Sequence, residues 1–144
     1  MFKHLLIPTD GSELSHKAMQ GALELATALN AKVTAYVCLE QYPYTPFSEI
    51  VVEAPQAFHE RVENQARIYL KEVTDAAQKA GVACTTDMTT FAAPYLGIID
   101  AAERHGCDAI FMASHGRRGL SGLLLGSETQ KVLTHTAIPV VVYR

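Results

Sequence analysis

"ASHGRRGLSGLLLGS", residues 113–127, holds four glycines and two adjacent arginines and has no acidic side chain. It grows out of "CDAIFMAS" (107–114) and leads, through a short helical stretch from Glu128 to Thr136, into "IPVVVYR" (138–144). Both flanking runs are apolar and rich in β-branched or aromatic residues, the composition of buried strands. A flexible cationic segment between two such strands is a loop with a task, and its placement decides how the strands are ordered.

Toward the N-terminus the same alternation repeats. "FKHLLIPT" (2–9) is a short apolar run ending at a proline and reads as the first strand. Asp10-Gly11-Ser12 makes a turn, and Ser12 and Ser15 offer N-cap oxygens to a helix whose face is Leu14, Ala18, Ala22, Leu25 and Leu29. Asn30 suits its end, and "KVTAYVCLE" (32–40) is the second strand. The segment Gln41–Gln56 carries Pro43, Pro46 and Pro55 and reads as a long loop. It can be a lid or binding element, or a solvent-facing crossover with its own cluster of Tyr42, Tyr44 and Phe47. Val62, Ala66, Tyr69, Val73, Ala77 and Ala80 mark a long amphipathic helix ending at Gly81. "VACTTDMTT" (82–90) is the third strand, and Pro94 opens a helix that passes Ile98, Ile99 and Ala102 and ends before Gly106.

Five strands alternating with four helices predict an α/β fold with a parallel sheet, helices on both faces and a single domain over residues 1–144. In such sheets ligands bind beyond the C-terminal strand ends, where the strand order reverses. The two loops with unusual turn chemistry are "PTDGS" (8–12) after strand 1 and residues 113–127 after strand 4. Strands 1 and 4 are therefore expected side by side, which gives the order 3-2-1-4-5.

Composition narrows the function. Charged residues make up 19% of the chain and 15 acids outweigh 12 bases, so a nucleic-acid or anionic-membrane surface is not expected. No signal-peptide core precedes Pro8 and no apolar run reaches membrane-spanning length, so a cytoplasmic location is the expectation. Cys38, Cys84 and Cys107 form no CxxC pair and read as buried free thiols. The six histidines show no HxxxH or HExxH spacing, so no dedicated metal site is expected.

Residues 113–127 fail three glycine motifs. A P-loop needs a lysine after its last glycine, but Gly126-Ser127 runs into Glu128. The spacing in "HGRRGLSG" is not GxGxxG, and Ser121 is followed by Gly122-Leu123, which breaks GxSxG. What remains is a physical reading: Gly116 and Gly119 can adopt positive φ and turn amides to one point, and Gly126-Ser127 leads into a helix N-terminus, together an anion cradle. Ser127 can be the N-cap of that helix or a donor to a phosphate oxygen. A mobile surface loop with no ligand fits the same glycines.

Over its full length the chain resembles the universal stress protein family. "HLLIPTDGSELSHKA" is similar to the family's first strand and turn, "SHGRRGLSGLLLGS" to its signature loop and "TAIPVVVYR" to its last strand. The family's nucleotide motif is glycine, two residues, glycine, nine residues, glycine, then serine or threonine. Here it reads Ala113, Ser114-His115, Gly116, Arg117 to Leu125, Gly126 and Ser127, so every position but the first matches. A second departure is Ala92, where the family usually has glycine.

The resemblance implies a Rossmann-like fold of the adenine nucleotide alpha hydrolase type and a regulator that binds ATP, with Mg²⁺ or Mn²⁺ between the phosphates. It places Asp10, after Pro8 and Thr9, beside the adenine and ribose, with Cys38 at the adenine edge and Met112 lining the pocket. Ala113, His115 and Gly116 would approach ribose and phosphates, and Gly126, Ser127, Glu128 and Thr129 would hold the β- and γ-phosphates. No general base or transition-state lysine is legible, so binding with at most slow hydrolysis is expected. A protein-interaction module without nucleotide is the alternative. Strand 5, Ile138 to Tyr143, is an apolar edge and the expected seam of a homodimer, which the resemblance also implies.

Overall fold

The computed structural model describes residues 1–44, 53–117 and 124–144. Along the chain run β1 (His4–Pro8), α1 (Glu13–Leu29), β2 (Lys32–Leu39), α2 (Pro55–Lys79), β3 (Cys84–Thr90), α3 (Pro94–Arg104), β4 (Ala109–Ala113), α4 (Ser127–His135) and β5 (Val140–Tyr143). The five strands form one sheet in the order β3-β2-β1-β4-β5, parallel throughout. The order expected from the two unusual loops is the order found.

The two-residue strand period sorts the core into two layers. Leu5, Ile7, Val33, Ala35, Val37, Ala109 and Phe111 face α1 and α2, while Leu6, Tyr36, Ile110 and Met112 face α3 and α4. Small helix residues allow close approach: Ala18, Ala22 and Ala26 of α1 and Ala101 and Ala102 of α3 are almost wholly buried. The buried face of α1 is rotated from the expected one, running through Ala18, Met19, Ala22, Leu23 and Ala26, with Leu14, Leu25 and Leu29 only partly covered.

Several boundaries move for local reasons. Pro55 does not end the loop after β2 but opens α2 at its first turn, where a missing N–H costs nothing. Residues expected at the start of strands 3 and 4 instead finish helices. The Val82 amide donates to the Ala77 carbonyl and the Cys107 amide to the Ala102 carbonyl, with Gly81 and Gly106 at φ 69° and 63° just before them. Strand 5 begins after Pro139. Of the three thiols only Cys107 is buried. Cys38 and Cys84 are half-buried, Cys38 near the end of β2 beneath Gly97 of α3 and Cys84 at the start of the edge strand β3. Tyr42 packs edge-on against Tyr44 and Phe58, so part of the aromatic cluster exists, while Phe47 lies outside the described residues.

At the end of the sheet opposite the two unusual loops, His4 is buried among polar partners. Its Nε2 lies 2.7 Å from Thr34 Oγ1, which is 2.8 Å from Thr85 Oγ1. Burial, followed by the charges of Lys32 and His105, holds the imidazole below its ordinary pKa, against the pull of Asp108 and the His105 backbone. The folded value lies below the unfolded one, so the unfolded chain binds the extra proton. The stabilisation is complete above a pH of about 6.5 and is lost as pH falls through the folded value. The urea midpoint should therefore drop between about pH 7.5 and 5.5. The drop should be smaller in His4→Gln, whose amide can still meet Thr34; equal drops in both proteins would contradict this role for His4.

Candidate functional site

β1 and β4 are neighbours, yet α1 packs on one face of the sheet and α4 on the other. The chain leaves β1 and β4 in opposite directions, and a crevice opens at their C-terminal ends. Nearly all the residues singled out in the sequence meet here; Cys38 stands one strand away.

The β1 side is a tight polar turn. The Thr9 amide donates to the Tyr36 carbonyl at 2.9 Å, so the segment after Pro8 stays on the sheet. Thr9 Oγ1 accepts from the Gly11 amide and Ser12 caps α1, its hydroxyl accepting from the Ser15 amide at 3.2 Å. Asp10 is half-buried and holds both sides of the crevice: Oδ1 accepts from the Ser12 amide at 3.0 Å and Oδ2 from the Arg117 amide at 2.8 Å. Burial pushes its carboxyl up, but hydrogen bonds from Ser12, Arg117 and Ser15 outweigh that and keep the pKa below the usual carboxylate value. Asp10 is a carboxylate at neutral pH.

The β4 side is closed by one carbonyl. Ser114 O accepts from the Gly126 amide at 2.8 Å and from Thr129 Oγ1 at 3.1 Å, and Thr129 Oγ1 also reaches the Ala113 carbonyl at 3.0 Å. Both ends of the glycine-rich loop are thereby brought to one point. Ser127 is not the N-cap: Gly126 holds that position in extended conformation, no side chain caps α4, and Ser127 is its exposed first residue. The free amides of this first turn carry the positive end of the helix dipole.

The glycines serve differently from the expectation. Gly116 does not adopt positive φ, whereas Gly119 lies outside the described residues. Gly116 is needed for space, since a Cβ there would fall 2.7 Å from Asp10 Oδ2. Gly126 has φ −61°, and a Cβ would stand 3.1 Å from Ser114 O and 3.2 Å from His115 Cα. Close approach explains both, to the Asp10 carboxylate at Gly116 and to backbone at Gly126.

The remaining expected residues divide. His115 is half-buried, its Nδ1 3.0 Å from Ser114 Oγ. Met112 and Ala113 are buried in the two core layers, so the Ala113 methyl that replaces a family glycine packs with the α1 and α2 cluster. Cys38 is half-buried at the end of β2, its thiol pushed up by burial. The Glu128 carboxylate turns away toward α3, accepting from the Tyr95 amide at 2.8 Å. Among the described residues no group of three or more His, Cys, Asp and Glu side chains could hold a metal, and no helix is long and apolar enough to cross a membrane.

Tyr69 and Arg117 were not singled out for the site. Arg117 lies over the Tyr69 ring, 5.2 Å from its centroid, and donates to the Tyr69 hydroxyl. The Tyr69 ring covers Gly11, where a Cβ would fall 2.2 Å from the ring edge. No sequence signal joins residues 48 positions apart. Gly11 also sits at φ 74°, so it is constrained twice. Gly81, at φ 69°, has nothing within 4 Å of such a Cβ. Gly81→Ala should cost about 1 kcal/mol of stability and Gly11→Ala about 2 kcal/mol or more. Equal losses in urea unfolding would show that Tyr69 does not press on the turn.

Comparison with known proteins agrees with this fold. The family description "Universal stress protein family" matches residues 1–144. Universal stress protein MJ0531 of Methanocaldococcus jannaschii is 30% identical over 145 residues, an alignment covering 100% of this chain and 83% of the relative. The solved structure of MJ0577, from the same organism, superposes with a TM-score of 0.83 at 25% identity, covering 99% of this chain and 96% of that one. A universal stress protein solved in complex with cAMP gives a TM-score of 0.71 at 24% identity, covering 99% and 97%.

Proposed function

The chain belongs to the universal stress protein family, and from that premise we propose that it binds ATP, with Mg²⁺ or Mn²⁺, in the crevice between β1 and β4, as a nucleotide-dependent regulator or protective factor in the cytoplasm. The observation that carries this reading is the opening of α4 at Gly126 without any side-chain cap, with Ser127 exposed at its first position. Uncapped amides at a helix N-terminus, on a loop closed tightly by Ser114 and Thr129, are a ready phosphate site. A structural neighbour solved with cAMP supports an adenine nucleotide as the class of ligand.

In this reading the amides of Ser127, Glu128 and Thr129 face the β- and γ-phosphates, and Gly126, whose own amide is held by Ser114 O, lets the backbone approach them closely. Gly116 and His115 approach the ribose and α-phosphate, Asp10 lies beside ribose and adenine after Pro8 and Thr9, and Cys38 offers its backbone at the adenine edge. Met112 and Ala113 form the buried floor. Mg²⁺ or Mn²⁺ would be held chiefly by the nucleotide's phosphates and would offset their charge, since the described residues offer no cluster of three or more His, Cys, Asp and Glu side chains to cage it. Gly126→Val should remove ATP binding by calorimetry while the far-UV spectrum is kept, because the added methyls meet Ser114 O and His115. Ala113→Gly should bind ATP as the parent does and lose up to about 1 kcal/mol of stability. Unchanged ATP affinity in folded Gly126→Val would overturn the site.

The same reading extends to assembly. β5 is an edge strand whose Val140, Val141 and Val142 are half-buried and whose Tyr143 is 37% exposed. We propose that it pairs with β5 of a second copy about a two-fold axis. Val142 is the better place for a charge, since Val141 packs on the core beside α1. Light scattering should show a dimer at micromolar concentration and a monomer for Val142→Lys. A monomeric parent, or a dimer unaffected by the lysine, would exclude this seam.

A further inference from the structure

α3 begins without a cap of its own. Its N-cap residue, Ala93, has no side-chain oxygen, and Pro94 at the start of the helix has no N–H. The first donor of α3 is the Tyr95 amide, and it donates at 2.8 Å to Oε2 of Glu128, 33 residues further along the chain. Oε1 of the same carboxylate lies 3.5 Å from Lys131 Nζ. Tyr95 also lies along α4, with Lys131 Nζ 5.4 Å from its ring centroid and the His135 ring 5.1 Å away. Glu128, Lys131 and His135 follow at intervals of three and four residues, so one stripe of α4 grips one residue of α3.

We propose that Glu128 is a positioning residue for the nucleotide phosphates, a role that rests on the nucleotide reading above. Its backbone amide belongs to the free first turn of α4, and its carboxylate ties that turn to α3. The tie fixes the direction in which the amides at 127–129 point. It also keeps a negative charge on the α3 side of the helix, where the Tyr95 amide and Lys131 compensate it, instead of leaving it free to swing toward an incoming phosphate. "FAAP" (91–94) supplies no side-chain acceptor of its own, so the Tyr95 amide is capped from α4 instead.

Glu128→Gln and Glu128→Ala separate the hydrogen bond from the charge, since both are neutral and only glutamine can accept from the Tyr95 amide. Hydrogen exchange at Tyr95 should be about fivefold faster in the alanine variant than in the glutamine variant, the effect of losing a cap. Mg²⁺-ATP should bind at least about fivefold more weakly to Glu128→Ala than to Glu128→Gln, while adenosine, which has no phosphate, binds both alike. Equal ATP affinities for the two variants, with the parent binding ATP, would overturn the positioning role alone. An equal loss for adenosine and ATP would show general loosening instead and also overturn it. A parent that binds no ATP would overturn the proposal together with the nucleotide reading, and the Tyr95 exchange rates would still report whether the strap exists.

Discussion

The Ser114 carbonyl is the point on which the crevice depends. Two donors from the far end of the loop, the Gly126 amide and the Thr129 hydroxyl, converge on it, and the Ser114 amide donates in turn to the Tyr143 carbonyl at 2.8 Å. One residue at the end of β4 thus joins the loop, the start of α4 and the last strand. A buried carbonyl with two partners is well satisfied, and losing both donors would leave polar backbone uncompensated. Because the acceptor is backbone at the end of β4, α4 is anchored to the sheet itself, and the Glu128 side chain adds a second tie, to α3.

That tie explains where side chains are absent. A methyl at Gly126 would crowd the same carbonyl, and one at Gly116 would strike the Asp10 carboxylate that holds the Arg117 amide from across the crevice. The two glycines are sites of close approach, not of unusual backbone conformation. Asp10 and Ser114 act as counterparts: a side-chain acceptor on the β1 side and a main-chain acceptor on the β4 side, each taking an amide from the same loop. With the loop's ends so fixed, α4 opens at the crevice with no side-chain cap and Ser127 exposed, which is what an anion requires.

Much of this was legible in the sequence because it follows from local patterns. Alternating apolar runs gave the strands, the prolines and glycines marked helix ends, and two unusual loops sufficed to order the sheet. Local rules also misled in places. Ser127 resembles an N-cap by residue type, but the extended backbone falls on Gly126 and the serine becomes the first helical residue. Val82 and Cys107 look like strand residues by composition, yet their amides are used to close the preceding helices. Contacts between distant positions left no trace: Tyr69 over Gly11, Arg117 on Tyr69, and Glu128 on Tyr95 each depend on how helices pack, which one-dimensional spacing does not encode. The Ala113 substitution was legible as a departure from the family, but only the packing shows that its methyl enters the core layer beside α1 and α2.

The account stands on phosphate meeting the amides that open α4, and amide chemical shifts report that contact directly. In a titration of the ¹⁵N-labelled protein with Mg²⁺-ATP, the largest shifts should fall on Ser127, Glu128 and Thr129, with smaller ones at Gly126, Asp10, Gly116 and Cys38. Shifts gathered elsewhere on the molecule, or none at millimolar nucleotide, would contradict it.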